Sequence, residues 1–135
     1  MDDARQYLNI GTKGEAEVKV EENQLASRYA SGELDVYATP AMVALMEQAA
    51  VRATDGSLPS DWITVGMKLD VRHLHPTLPG ATVRAEAELE AIDGRRLVFK
   101  VMAFDGIGRI GEGVHERFCV ERPAFLADAK RRAAK

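Results

Sequence analysis

Cysteine, aromatic residues and long apolar runs are scarce in this chain, and each scarcity excludes a class of protein. The single cysteine, Cys119, cannot form an intrachain disulfide, and no zinc-type cluster is present, so we expect no metal site. No apolar run approaches the roughly 20 residues that a membrane-spanning helix needs, so we expect no membrane partner. The 18 basic and 21 acidic residues give a net charge of −3, so we expect no nucleic-acid partner.

The length and composition are those of one globular domain. The chain has 135 residues, 46% of them hydrophobic and 29% charged, which is enough to bury a core. The N-terminal segment MDDARQYLNIG begins acidic and lacks the apolar stretch of a secretory signal. We therefore expect a single domain over residues 1–135, located in the cytoplasm.

The segment Thr39–Arg52 is predicted to form an apolar helix. Thr39 suits the N-cap and Pro40 suits the first helical position. Apolar residues then recur at helical spacing and form one stripe, namely Met42, Val43, Met46, Ala49, Ala50 and Ala53. Glu47 lies along this stripe, where a poorly compensated carboxylate costs several kcal/mol. Either Glu47 lies at the wet edge of the stripe or the fold uses its charge.

Alternating apolar and polar residues predict five strands around this helix. They are Gly14–Glu22, Ile63–Arg72, Thr82–Ile92, Leu97–Phe104 and Ile110–Val120. Because short turns join antiparallel neighbours, strands two to five are predicted to form a meander. The pattern predicts an α+β hotdog fold, an antiparallel five-stranded curved sheet wrapped around a central helix. An α+β sandwich with another strand order fits the pattern almost as well.

His73 continues the inward face of the second strand. Ile63, Val65, Met67, Leu69 and Val71 share that face, and His73 has the same parity just before a proline-rich turn. An imidazole at this position lies at the edge of the core, within reach of a ligand. A lone histidine at a strand end is nonetheless more often structural than catalytic.

Thr39, Glu47 and His73 together are more informative than any one of them. A hydroxyl, a carboxylate and an imidazole are the groups that acyl-transfer chemistry needs, and free amides at the helix N-terminus can polarise a carbonyl. Thr39 and Glu47 are about 12 Å apart along the helix, too far for a direct hydrogen bond. His73 would have to lie between them.

The last strand carries a weaker set of candidates. Its parity favours Val114, Phe118 and Val120 as core residues, which makes Glu116 inward and paired across the sheet. His115 and Arg117 then share the opposite face. The purely structural interpretation of this segment is a cross-strand ion pair.

Four segments resemble a known family. The chain from about Tyr37 to Val120 resembles hotdog-fold thioesterases, and more narrowly the fluoroacetyl-CoA thioesterase family, through segments spaced as in that family. They are TPAMVALMEQAAVRA, VGMKLDVRHLHPTLPG, AIDGRRLVFKVMAFDG and IGEGVHERF. The resemblance implies hydrolysis of a small acyl-CoA thioester to free acid and CoA, with coenzyme A as part of the substrate and no separate cofactor.

The resemblance also assigns residues. It implies that Thr39, Glu47 and His73 are catalytic, that Gly66 lies near the substrate carbonyl and that Arg117 binds substrate. It further implies a homodimer or a dimer of dimers, with sites at the subunit interface. Which subunit supplies each residue is left open, and so is the attacking group: Thr39, Glu47 or water.

The chain departs from the family ahead of the helix. The fluoroacetyl-specific enzyme has phenylalanines there that close over the substrate, whereas residues 30–36 (ASGELDV) include no aromatic residue. We therefore expect a general short-chain or aromatic acyl-CoA as substrate. Two other functions fit the same residues: an acyl-CoA hydratase or dehydratase on the same fold, and a non-catalytic acyl-CoA binding protein.

Overall fold

The computed structural model describes residues 2–135, and the predicted helix and five strands are all present. In chain order they are β1 (Lys13–Lys19), α1 (Thr39–Thr54), β2 (Trp62–His73), β3 (Thr82–Asp93), β4 (Arg96–Phe104), β5 (Arg109–Glu121) and α2 (Arg122–Ala133). Three short 3-10 turns, Ala4–Gln6, Glu22–Gln24 and Ala26–Arg28, flank β1 and lead towards α1.

The five strands form one antiparallel sheet in the order β1-β3-β4-β5-β2. The predicted meander is therefore correct for β3, β4 and β5 but wrong for β2, which pairs with β5 instead of β3. The connection from His73 to Thr82 contains Pro76 and Pro79 and is too long to act as a hairpin turn. It lets the chain cross to the other side of the sheet, which leaves β2 as an edge strand.

Helix α1 packs its apolar stripe against the sheet. Its buried residues are Ala41, Met42, Leu45, Met46, Ala49, Ala50, Ala53 and Thr54. Gly14 of β1 permits a close approach, because a Cβ at this position would lie 2.2 Å from the carbonyl oxygen of Ala49 and 2.4 Å from the amide nitrogen of Ala53. The helix backbone thus lies directly on β1.

A β-bulge in β2 corrects the predicted inward face of this strand. The register with β5 shifts between Gly66 and Lys68, so Met67 is the extra residue and its side chain is 60% exposed. Before the bulge Thr64 and Gly66 share a face with the β5 residues that point to α1. After it Leu69, Val71 and His73 take that face. Ile63 and Val65 therefore do not share the face of His73, contrary to the sequence-based assignment.

The predicted inward face of β5 is wrong. His115, Arg117 and Cys119 are buried, whereas Val114 is 42% exposed. Glu116 points outward and forms an ion pair with Arg96 on β4 at 3.7 Å. This is the cross-strand ion pair that the purely structural interpretation predicts. The outward positions of β5 carry the more apolar residues, so the count of apolar residues predicts the wrong inward face.

A second bulge shifts β3 near its end. The register with β4 changes between Leu89 and Ala91, so Ala91 is exposed and Ile92 takes the buried position. Before the bulge the alternation is regular, because Val83, Ala85, Ala87 and Leu89 are all buried.

Two features are absent from the described residues. Neither α1 nor any other helix within residues 2–135 is long and apolar enough to cross a membrane. The same residues contain no group of three or more His, Cys, Asp or Glu side chains arranged to hold a metal ion. Cys119 is free and buried.

Replacing Gly14 by alanine is expected to destabilise the fold, because the new methyl group would overlap the backbone of α1. Overpacking of this kind typically costs about 1–3 kcal/mol. Urea unfolding of the variant measures the loss. The matched control is Gly106→Ala, whose added Cβ meets no atom within 4 Å. Equal stability of the two variants would contradict the proposed contact between β1 and α1.

Candidate active site

Thr39 and His73 form a hydrogen-bonded pair at the start of α1. The Thr39 Oγ1 atom lies 2.7 Å from His73 Nδ1. Thr39 is not the N-cap, contrary to the prediction from the sequence. Ala38 occupies that position with extended backbone, and its carbonyl accepts the first helical hydrogen bond from the Met42 amide at 3.0 Å. The Thr39 hydroxyl is thereby directed to β2 instead of capping its own helix.

A cavity of about 350 Å³ opens over this pair. Thr39 and His73 line it together with Tyr37, residues 31–34 ahead of the helix, and the turn after β2. Most of residues 31–36 are exposed and none is aromatic. The cavity is large enough for a small acyl group, and residues 31–36 place no aromatic side chain over it.

Burial keeps the His73 imidazole neutral. It lowers the pKa of His73 below its ordinary value, because the charged form is poorly solvated there. The Nε2 atom is buried and has no hydrogen-bond partner within residues 2–135, as is also true of the Tyr37 hydroxyl. The Tyr37 ring packs edge-on against the imidazole at 6.4 Å between centroids. A neutral imidazole beside a hydroxyl has the form of a general base beside its nucleophile.

Glu47 forms an ion pair with Arg117 and not a hydrogen bond with His73. Arg117 Nη1 lies 3.3 Å from Glu47 Oε2. The Glu47 side chain is 38% exposed, so the carboxylate lies at the wet edge of the apolar stripe while its partner is buried. Among the described residues no hydrogen bond joins Glu47 to His73 or Thr39.

Arg117 is the centre of a second polar cluster, on the face of β5 that points to α1. Its Nε donates to Thr64 Oγ1 at 2.9 Å, and its Nη2 donates to the Thr64 carbonyl at 3.0 Å. Its Nη1 contacts Glu47 and also donates to His115 Nε2 at 3.1 Å. Burial lowers the pKa of Arg117, and the Glu47 carboxylate opposes that shift. The guanidinium is thus held in place by groups of its own chain.

Gly66 lies against this second cluster. A Cβ at Gly66 would lie 2.6 Å from Glu47 Oε2 and 3.3 Å from Arg117 Nη1. Any side chain at this position would displace the carboxylate. Glycine therefore leaves the Glu47 carboxylate accessible beside the backbone of β2.

The predicted site residues thus fall into two groups. The first group is Thr39 with His73, and the second is Glu47 with Gly66 and Arg117. Gly66 and His73 are seven positions apart on one strand, which separates them by about 23 Å. A single chain presents both groups on the same face but does not bring them together.

His115 belongs to the second cluster, although it is only a minor candidate by sequence. It is fully buried, and its Nδ1 lies 2.8 Å from the Lys68 carbonyl at the β2 bulge. Burial and the nearby Arg117 lower its pKa. The β4–β5 register supplies the signal that would have found it, because His115 lies opposite Phe99, a buried residue of β4.

Comparison with known proteins identifies the family. A family model described as fluoroacetyl-CoA-specific thioesterase matches residues 20–123. The fluoroacetyl-CoA thioesterase of Streptantibioticus cattleyicolor is 41% identical over 98 residues, which cover 73% of this chain and 70% of that protein. The chain belongs to the fluoroacetyl-CoA-specific thioesterase family. The resemblance inferred from the sequence segments is therefore confirmed.

Solved structures agree with this assignment. A crystal structure of a variant of the fluoroacetyl-CoA-specific thioesterase has a TM-score of 0.85 and 33% identity, covering 93% of this chain and 97% of that one. A hot-dog-like protein from Thermanaerovibrio acidaminovorans has a TM-score of 0.88 and 26% identity, with 96% of each chain covered. A thioesterase-superfamily member from Thermus thermophilus has a TM-score of 0.86 and 28% identity, with 93% of each chain covered. The predicted hotdog fold is confirmed.

Stability is expected to fall as the pH drops below about 6.5, the ordinary pKa of histidine. His73 and His115 both have lowered pKa values in the fold, so the unfolded chain binds protons that the folded chain does not. Each contributes a slope of at most about 1.4 kcal/mol per pH unit between its folded pKa and 6.5. Urea unfolding at pH 7.5, 6.5 and 5.5 measures this slope.

The control for the pH experiment is the exposed His75. His115→Gln is expected to flatten the pH dependence, and His75→Gln is expected to leave it unchanged. A flat profile in the wild type, or the same flattening in both variants, would show that His73 and His115 do not control the pH dependence.

Proposed function

We propose that the protein hydrolyses a small acyl-CoA thioester to the free acid and coenzyme A, with Thr39, His73 and Glu47 as its catalytic residues. The hydrogen bond of 2.7 Å between Thr39 Oγ1 and His73 Nδ1, at a cavity of about 350 Å³, carries this proposal. Family membership supports the reaction class. The roles of individual residues rest on the geometry.

The first step uses the neutral imidazole. His73 Nδ1 takes the proton of the Thr39 hydroxyl as Oγ1 attacks the thioester carbonyl carbon. Pro40 has no N–H, so the first turn of α1 offers the amides of Thr39 and Ala41 for the carbonyl oxygen as it gains charge. The C–S bond then breaks, and the CoA thiolate takes the proton from His73.

The second step returns the enzyme to its starting state. Water attacks the acyl group on Thr39, gives its proton to His73 and releases the free acid, and the proton then returns to Thr39. Glu47 contributes a negative charge that Arg117 fixes in position. Direct attack by water, activated by His73, uses the same base and predicts no acyl-enzyme.

The acyl group is proposed to be short-chain or aromatic and not restricted to fluoroacetyl. The segment that lines the cavity ahead of α1 consists of Ser31, Gly32, Glu33, Leu34 and, further on, Val36. These side chains supply no aromatic cover that would close tightly over a two-carbon group.

A homodimer is proposed to unite the two groups of site residues. Strand β2 is an edge strand of the sheet, none of its residues is buried, and its Met67 is 60% exposed. Antiparallel pairing of two β2 edges about a two-fold axis at Asp70, with the bulged Met67 left unpaired, places Leu69 opposite Val71 and Gly66 of one copy opposite His73 of the other. Each composite site then contains the Thr39–His73 pair of one copy and the Glu47 cluster of the other.

Replacing His73 by alanine is expected to lower kcat by about 10²–10⁴-fold, because the general base is lost. Thr39→Val is expected to cause a similar loss if its hydroxyl is the nucleophile. Release of free thiol across an acyl-CoA panel measures both effects, and Val114→Ala, on the outer face of β5, serves as the control. Wild-type rates for His73→Ala would remove His73 from the mechanism.

The same panel tests the two other functions. Hydration of an enoyl-CoA without release of thiol would indicate a hydratase. Tight binding of acyl-CoA without any turnover would indicate a binding protein. Either result would overturn the proposed hydrolysis.

Mixing two inactive variants tests the composite site. His73→Ala and Glu47→Gln homodimers are each expected to be nearly inactive, and a re-equilibrated 1:1 mixture is expected to recover about one quarter of wild-type activity, because half of the dimers then hold one intact site. The measurement is thiol release before and after subunit exchange. If each site lay within one chain, no mixed dimer would hold an intact site and no activity would return.

A further inference from the structure

We propose that His115, acting in its neutral form with the proton on Nδ1, is a positioning residue that ties the Arg117–Glu47 pair to the bulge of β2. This inference rests on the proposed function, because it assigns His115 a part in the same site. It differs from the roles given above in that His115 contacts neither substrate nor reacting atoms.

The contacts of His115 determine which nitrogen carries the proton. The Lys68 carbonyl, 2.8 Å from Nδ1, can only accept a hydrogen bond, so Nδ1 donates. The Arg117 guanidinium, 3.1 Å from Nε2, can only donate, so Nε2 accepts. Both contacts are satisfied by a single tautomer, the neutral Nδ1–H form.

The surroundings favour this neutral form. His115 is fully buried, and its ring packs against Phe99 with 6.4 Å between centroids. A second proton on His115 would place an N–H against the Arg117 guanidinium. The partly exposed Glu47 carboxylate pairs with Arg117 and, among the described residues, makes no hydrogen bond with His115. Burial and the Arg117 charge lower the pKa of His115, while the hydrogen bond to the Lys68 carbonyl and the Glu47 charge oppose the shift.

His115 therefore links two features that the site needs together. On one side it fixes the backbone at Lys68, where the bulge turns the rest of β2, including His73, towards α1. On the other side it orients Arg117 Nη1, which holds Glu47 beside Gly66. Its Cε1 also lies 3.5 Å from the position of a Cβ at Gly66, so the buried ring packs against the backbone there.

Two substitutions separate the two contacts. The amide of His115→Gln reaches the position of Nε2 and can accept from Arg117. The shorter amide of His115→Asn reaches only the position of Nδ1 and can donate to the Lys68 carbonyl. If His115 acts through Arg117, the glutamine variant should keep kcat within about threefold, and the asparagine variant should lose about tenfold or more with little change in KM.

Coupling to Glu47 distinguishes this role from a purely structural one. Adding Glu47→Gln to His115→Asn is expected to cost much less than Glu47→Gln costs in the wild type, because both changes act through Arg117. Val114→Ala, on the outer face of the same strand, is the control. Equal losses in the glutamine and asparagine variants, or additive losses with Glu47→Gln, would overturn the proposal. Wild-type kcat for Glu47→Gln alone would instead overturn the proposed role of Glu47.

A measurement on the folded wild type does not depend on activity or on any variant of His115. Two-bond ¹H–¹⁵N spectra of the three histidines report the tautomer of each ring, and spectra of His73→Ala and His75→Ala assign the signals. The proposal expects His115 to show a protonated Nδ1 and an unprotonated Nε2 at neutral pH. A protonated Nε2 would overturn it whatever the enzyme hydrolyses.

Discussion

The bulge at Met67 is the constraint on which the arrangement of the site depends. Side chains alternate along a strand, so Gly66 and His73, seven positions apart, would face opposite sides of a regular β2. One extra residue between them reverses the alternation, and both then face α1. Thr39 can thus bond to His73 near one end of β2 while Glu47 lies against Gly66 further along the strand.

Much of the fold was predictable from the sequence, because its elements follow from local patterns. The helix and all five strands were found, as the period of the apolar residues and the turn signals are properties of short segments. The pairing of β2 with β5 and the two bulges could not be predicted, because both depend on how two strands pair and not on the pattern of either strand alone. The inward face of β5 is not predictable for a related reason. Its buried side chains, His115 and Arg117, are polar and are stabilised by hydrogen bonds to other elements.

The three residues Thr39, Glu47 and His73 were selected from the sequence, but their partners could not be. Thr39 looked like an N-cap because threonine commonly caps helices, and its backbone position differs from the N-cap by one residue. The sequence pairs Glu47 with His73, because the predicted strand parity turns His73 towards the helix, and it identifies no positive charge as a partner of the carboxylate. Arg117 supplies that charge from a strand 70 residues away. Long-range contacts of this kind leave no trace in local spacing.

The energetics of Arg117 indicate that this cluster does more than stabilise the fold. A buried ion pair often stabilises no more than an apolar pair of the same shape, since each charge loses its hydration. Here the guanidinium needs Thr64, His115 and Glu47 to satisfy its donors, while the carboxylate it holds remains 38% exposed. A charge that is fixed by buried groups yet open on one side is suited to act on something outside the chain. In the proposed dimer that open side lies next to the other copy's half of the site. The cluster that compensates the Glu47 charge therefore also directs its carboxylate to where the reaction takes place.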